Sequence, residues 1–388
     1  MKGNAADIIK IGNSKGIRIP KALLQQTGLT DRAQLSVQEG QLVVRPEGEP
    51  PTSVQPPSSV GVKAVVIGGG TGSFMLLSAL RPYVGNLTAI VTMSDDGGST
   101  GILRDELGVL PPGDVRQCLV ALSNTPEYMR ELFNYRFEEG TFRGHSFGNL
   151  FLTALEKISG GFGEGVKLAE QILQVSGQVI PVTTSDIRLT AVMSDGTQLN
   201  HERNIQTHDF SGDRPLLQLE PQAKVNKEAV RAIMAADMVI VGPGDLYGSI
   251  IPVLLPDGMA KALERTKAPK VYVANLVNKP DKTKGMQVHE FLDELSRHLD
   301  GKQLFDYVIY NTAMPTPTLA KRYLRNGELP VEFEAATLKQ QPYKAIGEPL
   351  LAGAAPENKN DVLLEYQRSL IRHDGDRLAR ALMRIYFS

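Results

Sequence analysis

The most constraining feature of this chain is a β-prone run that ends abruptly in glycine. Val62-Lys63-Ala64-Val65-Val66-Ile67 shows no sustained polar alternation, the pattern of a strand covered on both faces. Gly68-Gly69-Gly70-Thr71-Gly72 follows at once, and residues 74–80 then read as a helix. Glycines let backbone approach a ligand without interference from Cβ. A helix opening beside them turns unpaired N–H donors and a favourable field towards phosphate. The unit therefore predicts a nucleotide or nucleotide-sugar cradled by Gly69, Gly70, Thr71 and Gly72. The loop lacks the lysine of a Walker motif, and no matching acidic residue completes a dinucleotide fingerprint.

Later segments repeat this logic. Residues 87–92 read as a second strand and end in Ser94-Asp95-Asp96-Gly97-Gly98-Ser99-Thr100-Gly101. Asp95 and Asp96 in that glycine-rich loop fit acceptors for hydroxyl or base N–H donors, ligands of a hydrated divalent cation, or a capped surface turn. Pro111-Pro112-Gly113 precedes Asp114, placed as a helix N-cap, and Arg116, a cation for phosphate. Gly144-His145-Ser146-Phe147-Gly148-Asn149 opens another helix, from which Asn149 can reach a ligand. Residues 236–241 run as a strand into Gly242-Pro243-Gly244-Asp245-Leu246-Tyr247. Residues 270–275 end on Asn275, and residues 305–312 form a further strand. Helical patterns at 227–235 and 288–299 separate these strands, and residues 187–201 read as a β-hairpin.

The expected fold class is α/β: a Rossmann-like, doubly wound, mainly parallel sheet with a small antiparallel insertion. Ligands of open α/β sheets sit at the carboxyl ends of the strands. Polar groups at several strand tips therefore predict one crevice.

A smaller, β-rich piece precedes the large one. Residues 47–61 are rich in proline and small polar residues and read as a linker between residues 1–46 and 62–388. The front piece alternates polar and apolar residues over four short runs, and Pro20 stands at the first turn of a short helix. So few large side chains make a weak monomeric core, which predicts a homodimer. Lys2, Lys10, Lys15, Arg18, Lys21, Arg32 and Arg45 outweigh Asp7, Asp31 and Glu39, so a two-fold dimer would offer DNA phosphates a basic face. The run from Ile11 to Lys21, IGNSKGIRIPK, resembles the antitoxin/transition-state-regulator family of swapped-hairpin DNA-binding domains. The resemblance implies an intertwined dimer with Asn13, Ser14, Lys15 and Arg18 near DNA. A retained dimerisation module that does not read DNA is the alternative.

Composition narrows the partners. Lys plus Arg number 42 and Asp plus Glu 43, so no global charge draws the chain to nucleic acid or anionic membrane. The single cysteine, Cys118, excludes an internal disulfide and reads as a small buried hydrophobe. The six histidines are scattered without zinc-ligand spacing. No signal peptide or membrane-spanning run is evident, which predicts a cytoplasmic protein without membrane insertion.

Residues 62–385 resemble the bacterial gluconeogenesis and cell-shape factors, relatives of the 2-phospho-lactate transferases. The resemblance rests on the glycine loop, on Asp95-Asp96-Gly97-Gly98-Ser99-Thr100-Gly101, and on Pro111-Pro112-Gly113-Asp114-Val115-Arg116. It continues through residues 144–149, Gly242-Pro243-Gly244 with Leu246-Tyr247, and Arg372-His373-Asp374. It implies binding of a UDP-sugar, UDP-N-acetylglucosamine above all, and a role in envelope growth when carbon flows through gluconeogenesis. Arg372 becomes a contact to the diphosphate and Tyr247 a contact to the nucleotide-sugar. The expected function is non-catalytic sensing, transmitted to a cytosolic protein partner. The alternatives are a transferase that holds magnesium on Asp95, Asp96 and Asp114, and a DNA-binding regulator that senses ligand through its large domain. Serine is expected where Asp245 stands, and a more neutral Gln-Pro-Gly-Glu pattern in place of Asn275-Leu276-Val277-Asn278-Lys279-Pro280-Asp281-Lys282-Thr283. An unpaired Asp245 would repel a diphosphate, so Lys279, Lys282 or a cation is expected to compensate.

Overall fold

The computed structural model describes residues 61–325, 327–352 and 372–388, together with the backbone of residues 8–11, 14–17, 33–38 and 41–46. Two compact units divide the chain, Met1–Pro57 and Ser58–Ser388.

In the smaller unit, β1 (Ile8–Ile11) pairs antiparallel with β2 (Ser14–Ile17), and β3 (Ala33–Gln38) with β4 (Gln41–Pro46). Each of the four apolar runs contributes to a strand, and each pair makes a two-stranded sheet among the described residues. Ser14 and Lys15 lie on β2. Asn13, Arg18, the helix expected after Pro20 and the linker up to residue 60 lie outside the described residues.

The larger unit is built on a seven-stranded sheet in the order β16-β14-β12-β11-β5-β6-β7, every neighbouring pair parallel. Its first three strands are β5 (Lys63–Gly68), β6 (Asn86–Val91) and β7 (Gln178–Pro181). A three-stranded antiparallel sheet follows, from β8 (Arg188–Val192), β9 (Gln198–Asn200) and β10 (Leu216–Glu220). The chain re-enters the main sheet with β11 (Met238–Val241) and β12 (Lys270–Val273), makes a short ribbon from β13 (Val277–Asn278) and β15 (Leu329–Pro330), and closes with β14 (Tyr307–Asn311) and β16 (Lys344–Glu348). The small antiparallel insertion is thus a sheet of three strands, because β10 joins the hairpin expected from residues 187–201.

The winding positions the candidate site. From β5 the chain moves outward through β6 to β7, then returns to the other side of β5 and moves outward again from β11. This is the dinucleotide-fold order with an added seventh strand, and it reverses direction between β5 and β11. Beyond that point the connecting loops diverge and leave a crevice. The central strands are buried on both faces, as their β-branched runs require: Val65, Val66, Ile67, Val239, Ile240 and Val241 are all inside.

Helices cover the sheet: α1 (Gly70–Leu80), α2 (Gly98–Leu107), α3 (Gly113–Leu122), α4 (Glu127–Asn134), α5 (Phe147–Ser159), α6 (Phe162–Ile172), α7 (Glu202–Thr207), α8 (Lys227–Ala235), α9 (Val288–Arg297) and α10 (Gly375–Tyr386). Helix α1 buries Leu76, Leu77 and Leu80. Gly375 lets α10 approach it closely, since a Cβ there would lie 2.9 Å from Ala79 Cβ.

The close approach at the strand tips is tighter still. A Cβ on Gly72 would fall 2.0 Å from the carbonyl oxygen of Pro243, so the loops after β5 and β11 touch through backbone. Gly72→Ala should therefore cost about 1–3 kcal/mol by forcing the loops apart. Gly163→Ala on α6, whose new Cβ would meet Thr184 Cγ2 at an ordinary 4.0 Å, should leave stability within about 0.5 kcal/mol. Urea unfolding of the two variants measures the contrast.

Candidate functional site

At the tip of β5 three glycines serve different ends. Gly70 holds φ of +64°, which a side chain disfavours. Gly69 lies under Asp114, whose Oδ2 would be 2.3 Å from a Cβ there. Gly72 meets the β11 loop. Helix α1 starts at Gly70 without a side-chain cap and with no acidic residue in its first turn, so its field is not offset by a carboxylate of its own. At the tip of β11, Gly242 holds φ of +79°, and Asn275 Nδ2 donates to the Gly244 carbonyl at 2.8 Å. Asn275 therefore fixes the second loop from the tip of β12. Asp245 caps the π-helical turn Leu246–Ile250 by accepting from Gly248 N at 2.7 Å, and it is ion-paired with Lys279.

The loop after β6 places its two carboxylates differently. Asp95 Oδ1 accepts from Gly97 N at 3.0 Å, and its Oδ2 faces Gly113, where a Cβ would lie 2.8 Å away. It stands at the start of α3, against Gly113. Asp96 turns the other way and caps α7: it accepts from the N–H groups of Glu202 at 3.1 Å and Arg203 at 2.8 Å, with His201 Nδ1 at 3.2 Å. Gly98, at φ +47°, starts α2, and Gly101 allows that helix onto the Asp96 carbonyl.

A polar relay lies behind this loop. Ser99 Oγ is 3.0 Å from His145 Nδ1 and accepts from Asn149 Nδ2 at 3.3 Å. Arg116 Nε donates to Asn149 Oδ1 at 3.0 Å, and another guanidinium nitrogen donates to Asn134 at the end of α4. Arg116 and Asn149 thus brace α3, α4 and α5. Thr100 sits under Gly113, with its Oγ1 2.7 Å from where a Cβ would be.

Two expectations need correction, and a third, the compensation of Asp245, is met by Lys279. Asp114 is not the N-cap of α3, because Pro112 holds that position and makes no side-chain cap; Asp114 stands in the first turn with its carboxylate against Gly69. Tyr247 is 1% exposed and packs edge-on against Phe210, with ring centroids 5.0 Å apart, so its ring does not line the crevice. Asp245 is paired rather than isolated. Lys279 compensates it directly, whereas Lys282 turns to Asp281 Oδ2 at 2.7 Å and to the His208 carbonyl. Next to Arg372 in the chain, His373 Nε2 donates to the Ala274 carbonyl just beyond β12, at 3.2 Å.

Glu202 and Arg104 were not foreseen. Glu202 comes from α7, far along the chain, to a place among Asp95, Asp96, Asp245 and Asp114. Burial and then those four carboxylates push its pKa up to about 9. Burial likewise raises Asp95 above the usual range. Burial opposes ionisation of Asp245 too, but the Lys279 ammonium, together with the Gly248 N–H and the more distant charge of Lys282, outweighs it and holds that carboxyl below its ordinary value. Arg104, 3% exposed, ties the Asp95 carbonyl at 2.9 Å to Asp186 at 2.6 Å. No local motif marks either residue. Among the described residues no three His, Cys, Asp or Glu side chains converge as a metal-binding group. Nor is any of their helices long and apolar enough to cross a membrane.

Residues 64–351 match the family model of the 2-phospho-L-lactate transferase CofD. The chain belongs to this family. Its relatives include a gluconeogenesis factor of Bacillus subtilis, 34% identical over 322 residues, covering 83% of this chain and 97% of the relative. A Thermoanaerobacterium thermosulfurigenes protein carrying a provisional gluconeogenesis-factor name is 42% identical over 326 residues, 83% of this chain and 96% of that one. A crystal structure of a UPF0052 family member from Bacillus halodurans superposes with a TM-score of 0.75 at 33% identity, over 83% of this chain and 98% of the other. The CofD-family region holds the crevice from the glycine loop to Asn275; Arg372 and the smaller unit lie outside it.

The Glu202 proton makes a checkable demand. A carboxyl whose pKa is raised on folding contributes stability that is intact below its unfolded value of 4.5 and is lost as pH climbs towards about 9. Glu202→Gln carries a neutral amide at every pH. Its melting temperature should fall less than the parent's between pH 6 and pH 9, as followed by circular dichroism. Parallel curves would show that Glu202 is already ionised at neutral pH.

Proposed function

We propose that this member of the CofD family is a non-catalytic nucleotide-sugar sensor, with UDP-N-acetylglucosamine as its ligand. Its output would be regulation of carbon metabolism and envelope growth during gluconeogenesis. The observation that carries the reading is the direct contact of two glycine loops, Gly69–Gly72 and Gly242–Gly244, across the point where strand order reverses. Uncapped α1 would face the diphosphate, and the names of the gluconeogenesis-factor relatives supply the physiological setting. The bracing groups argue for sensing: Ser99, Asn149, Arg116 and Asp96 are engaged with protein partners. Such a site reads occupancy through the loops it locks together, and a cytosolic protein partner would read the loops.

Charge sets the condition on the ligand. Two unit charges 4 Å apart at an effective dielectric near 20 interact by about 4 kcal/mol, so a bare diphosphate beside Asp95 and Asp114 needs a cation. Both are hard oxygen donors of the kind magnesium takes, and a metal accompanying the ligand would supply charge neutralisation there.

A transferase reading is kept alive by one contact, the 3.0 Å pair of Ser99 Oγ and His145 Nδ1. Calorimetric titration with UDP-N-acetylglucosamine and magnesium separates the readings. The sensor should give saturable heat with the ligand recovered intact, and Gly70→Val, which cannot easily hold φ of +64°, should abolish it. Recovery of a new phospho-acid adduct when nucleotide-linked phospho-acids are supplied would favour the transferase.

The smaller unit adds a second element. Isolated two-stranded sheets are marginal in water, so β1–β2 and β3–β4 call for a second copy, and the basic residues of that dimer would meet DNA. The full chain should sediment as a dimer, and a version lacking residues 1–57 should lose the contribution of this unit. In electrophoretic shifts against promoter DNA, the Lys15→Ala/Arg18→Ala double variant should bind more weakly while remaining dimeric. A dimer that retards no DNA would leave this unit as a dimerisation module.

A further inference from the structure

We propose that Lys279 is the cation that receives the anionic group of the ligand, and that Asp245 holds it ready by an ion pair the ligand exchanges into. The proposal rests on the nucleotide-sugar reading for the ligand's name, but not for its charge.

Lys279 follows β13, in the loop beyond the tip of β12, and its ammonium meets Asp245 at the tip of β11. The side chain is 50% exposed, while that of Asp245 is 19% exposed. One end of the pair is therefore built into the wall and the other faces solvent. Asp245 keeps a second partner whatever Lys279 does, because its Oδ1 accepts from Gly248 N at 2.7 Å. Losing the lysine leaves the π-turn capped, so the ammonium can leave without collapse of the loop. The neighbouring Gly244 carbonyl is separately held by Asn275.

Two other cations near the crevice are committed elsewhere. Arg104 binds the Asp95 carbonyl, Asp186 and the Ile187 carbonyl, and Lys282 lies between Asp281, the His208 carbonyl and the face of Phe210, 4.6 Å from its centroid. Lys279 has three ammonium protons, and among the described residues its ammonium is ion-paired with one carboxylate, that of Asp245. A phosphate oxygen arriving over the glycine loops would offer that ammonium a second anion, one with less need of burial. Asp245 then acts as a selectivity filter: a neutral ligand does not displace it, and a phosphate-bearing one does.

The test is calorimetry on the full chain, with magnesium present throughout, using UDP-N-acetylglucosamine and, separately, inorganic pyrophosphate. Lys279→Ala and Lys279→Gln should each weaken both ligands by about tenfold or more, while Lys279→Arg stays within roughly threefold of the parent. Asp245→Ser keeps an acceptor for Gly248 N and should tighten both ligands, a gain that disappears in Asp245→Ser/Lys279→Ala. Circular dichroism melting of each variant shows that it is folded, and Lys279→Gln serves if the alanine variant is not. Equal affinities for the parent and Lys279→Gln would overturn the proposal, as would a loss on Asp245→Ser matching that of Lys279→Ala. Pyrophosphate binding that depends on Lys279, without binding of the nucleotide-sugar, would sustain the role of Lys279 and refute the ligand's name. Binding of neither ligand would refute both.

Discussion

The backbone contact between Gly72 and Pro243 is the constraint on which the rest of the large unit depends. It joins the loop after the first strand to the loop after the fourth, the two whose connections depart in opposite directions. With side chains larger than hydrogen at Gly72 the loops would stand apart, and the crevice would open into a cleft without a floor. Everything placed at the other tips is referred to that contact. Asn275 fixes the Gly244 carbonyl beside it, Asp114 lies on Gly69, and Asp245 starts its turn one residue later.

Sequence carries this arrangement unevenly, for physical reasons. Central strands such as 63–68 and 238–241 are legible because burial on both faces demands continuous β-branched runs. The edge strands β7 and β16 are not: Gln178–Pro181 is short and ends in proline, and Lys344–Glu348 has charged ends and half-buried apolar residues. The glycine loops were readable because a close approach or positive φ leaves few residue choices. Directions of side chains were not. Nothing in Asp95-Asp96 says that one carboxylate faces Gly113 at the start of α3 while the other caps a helix that begins more than a hundred residues later. Tyr247, two residues after Asp245, belongs to the core for the same reason: a turn decides which way it points, and the turn is π-helical.

Glu202 shows how an insertion reshapes a site that its neighbours define. The antiparallel strands β8 to β10 bracket α7, and α7 brings one carboxylate to the back of the crevice. Its anchor is Asp96, through the backbone N–H of Glu202 itself. The same bond that places the insertion therefore places the acid, and moving one moves the other.

These contacts also resolve an apparent conflict between acidity and phosphate. Counted as formal charges, Asp95, Asp96, Asp114, Asp245 and Glu202 would make the crevice hostile to any anion. Their partners reduce that charge one by one. Asp96 faces the N-terminus of α7, Asp245 faces Lys279, Asp95 accepts an N–H and is raised by burial, and Glu202 holds its proton. The potential at the glycine loop is then set largely by the start of α1, which has no side-chain cap from its own N-cap residue, with Lys279 at the margin of the site. A crevice of this kind discriminates by proton and cation occupancy as much as by shape. Ligands that bring a divalent ion or draw Lys279 inward meet a different surface from those that do neither.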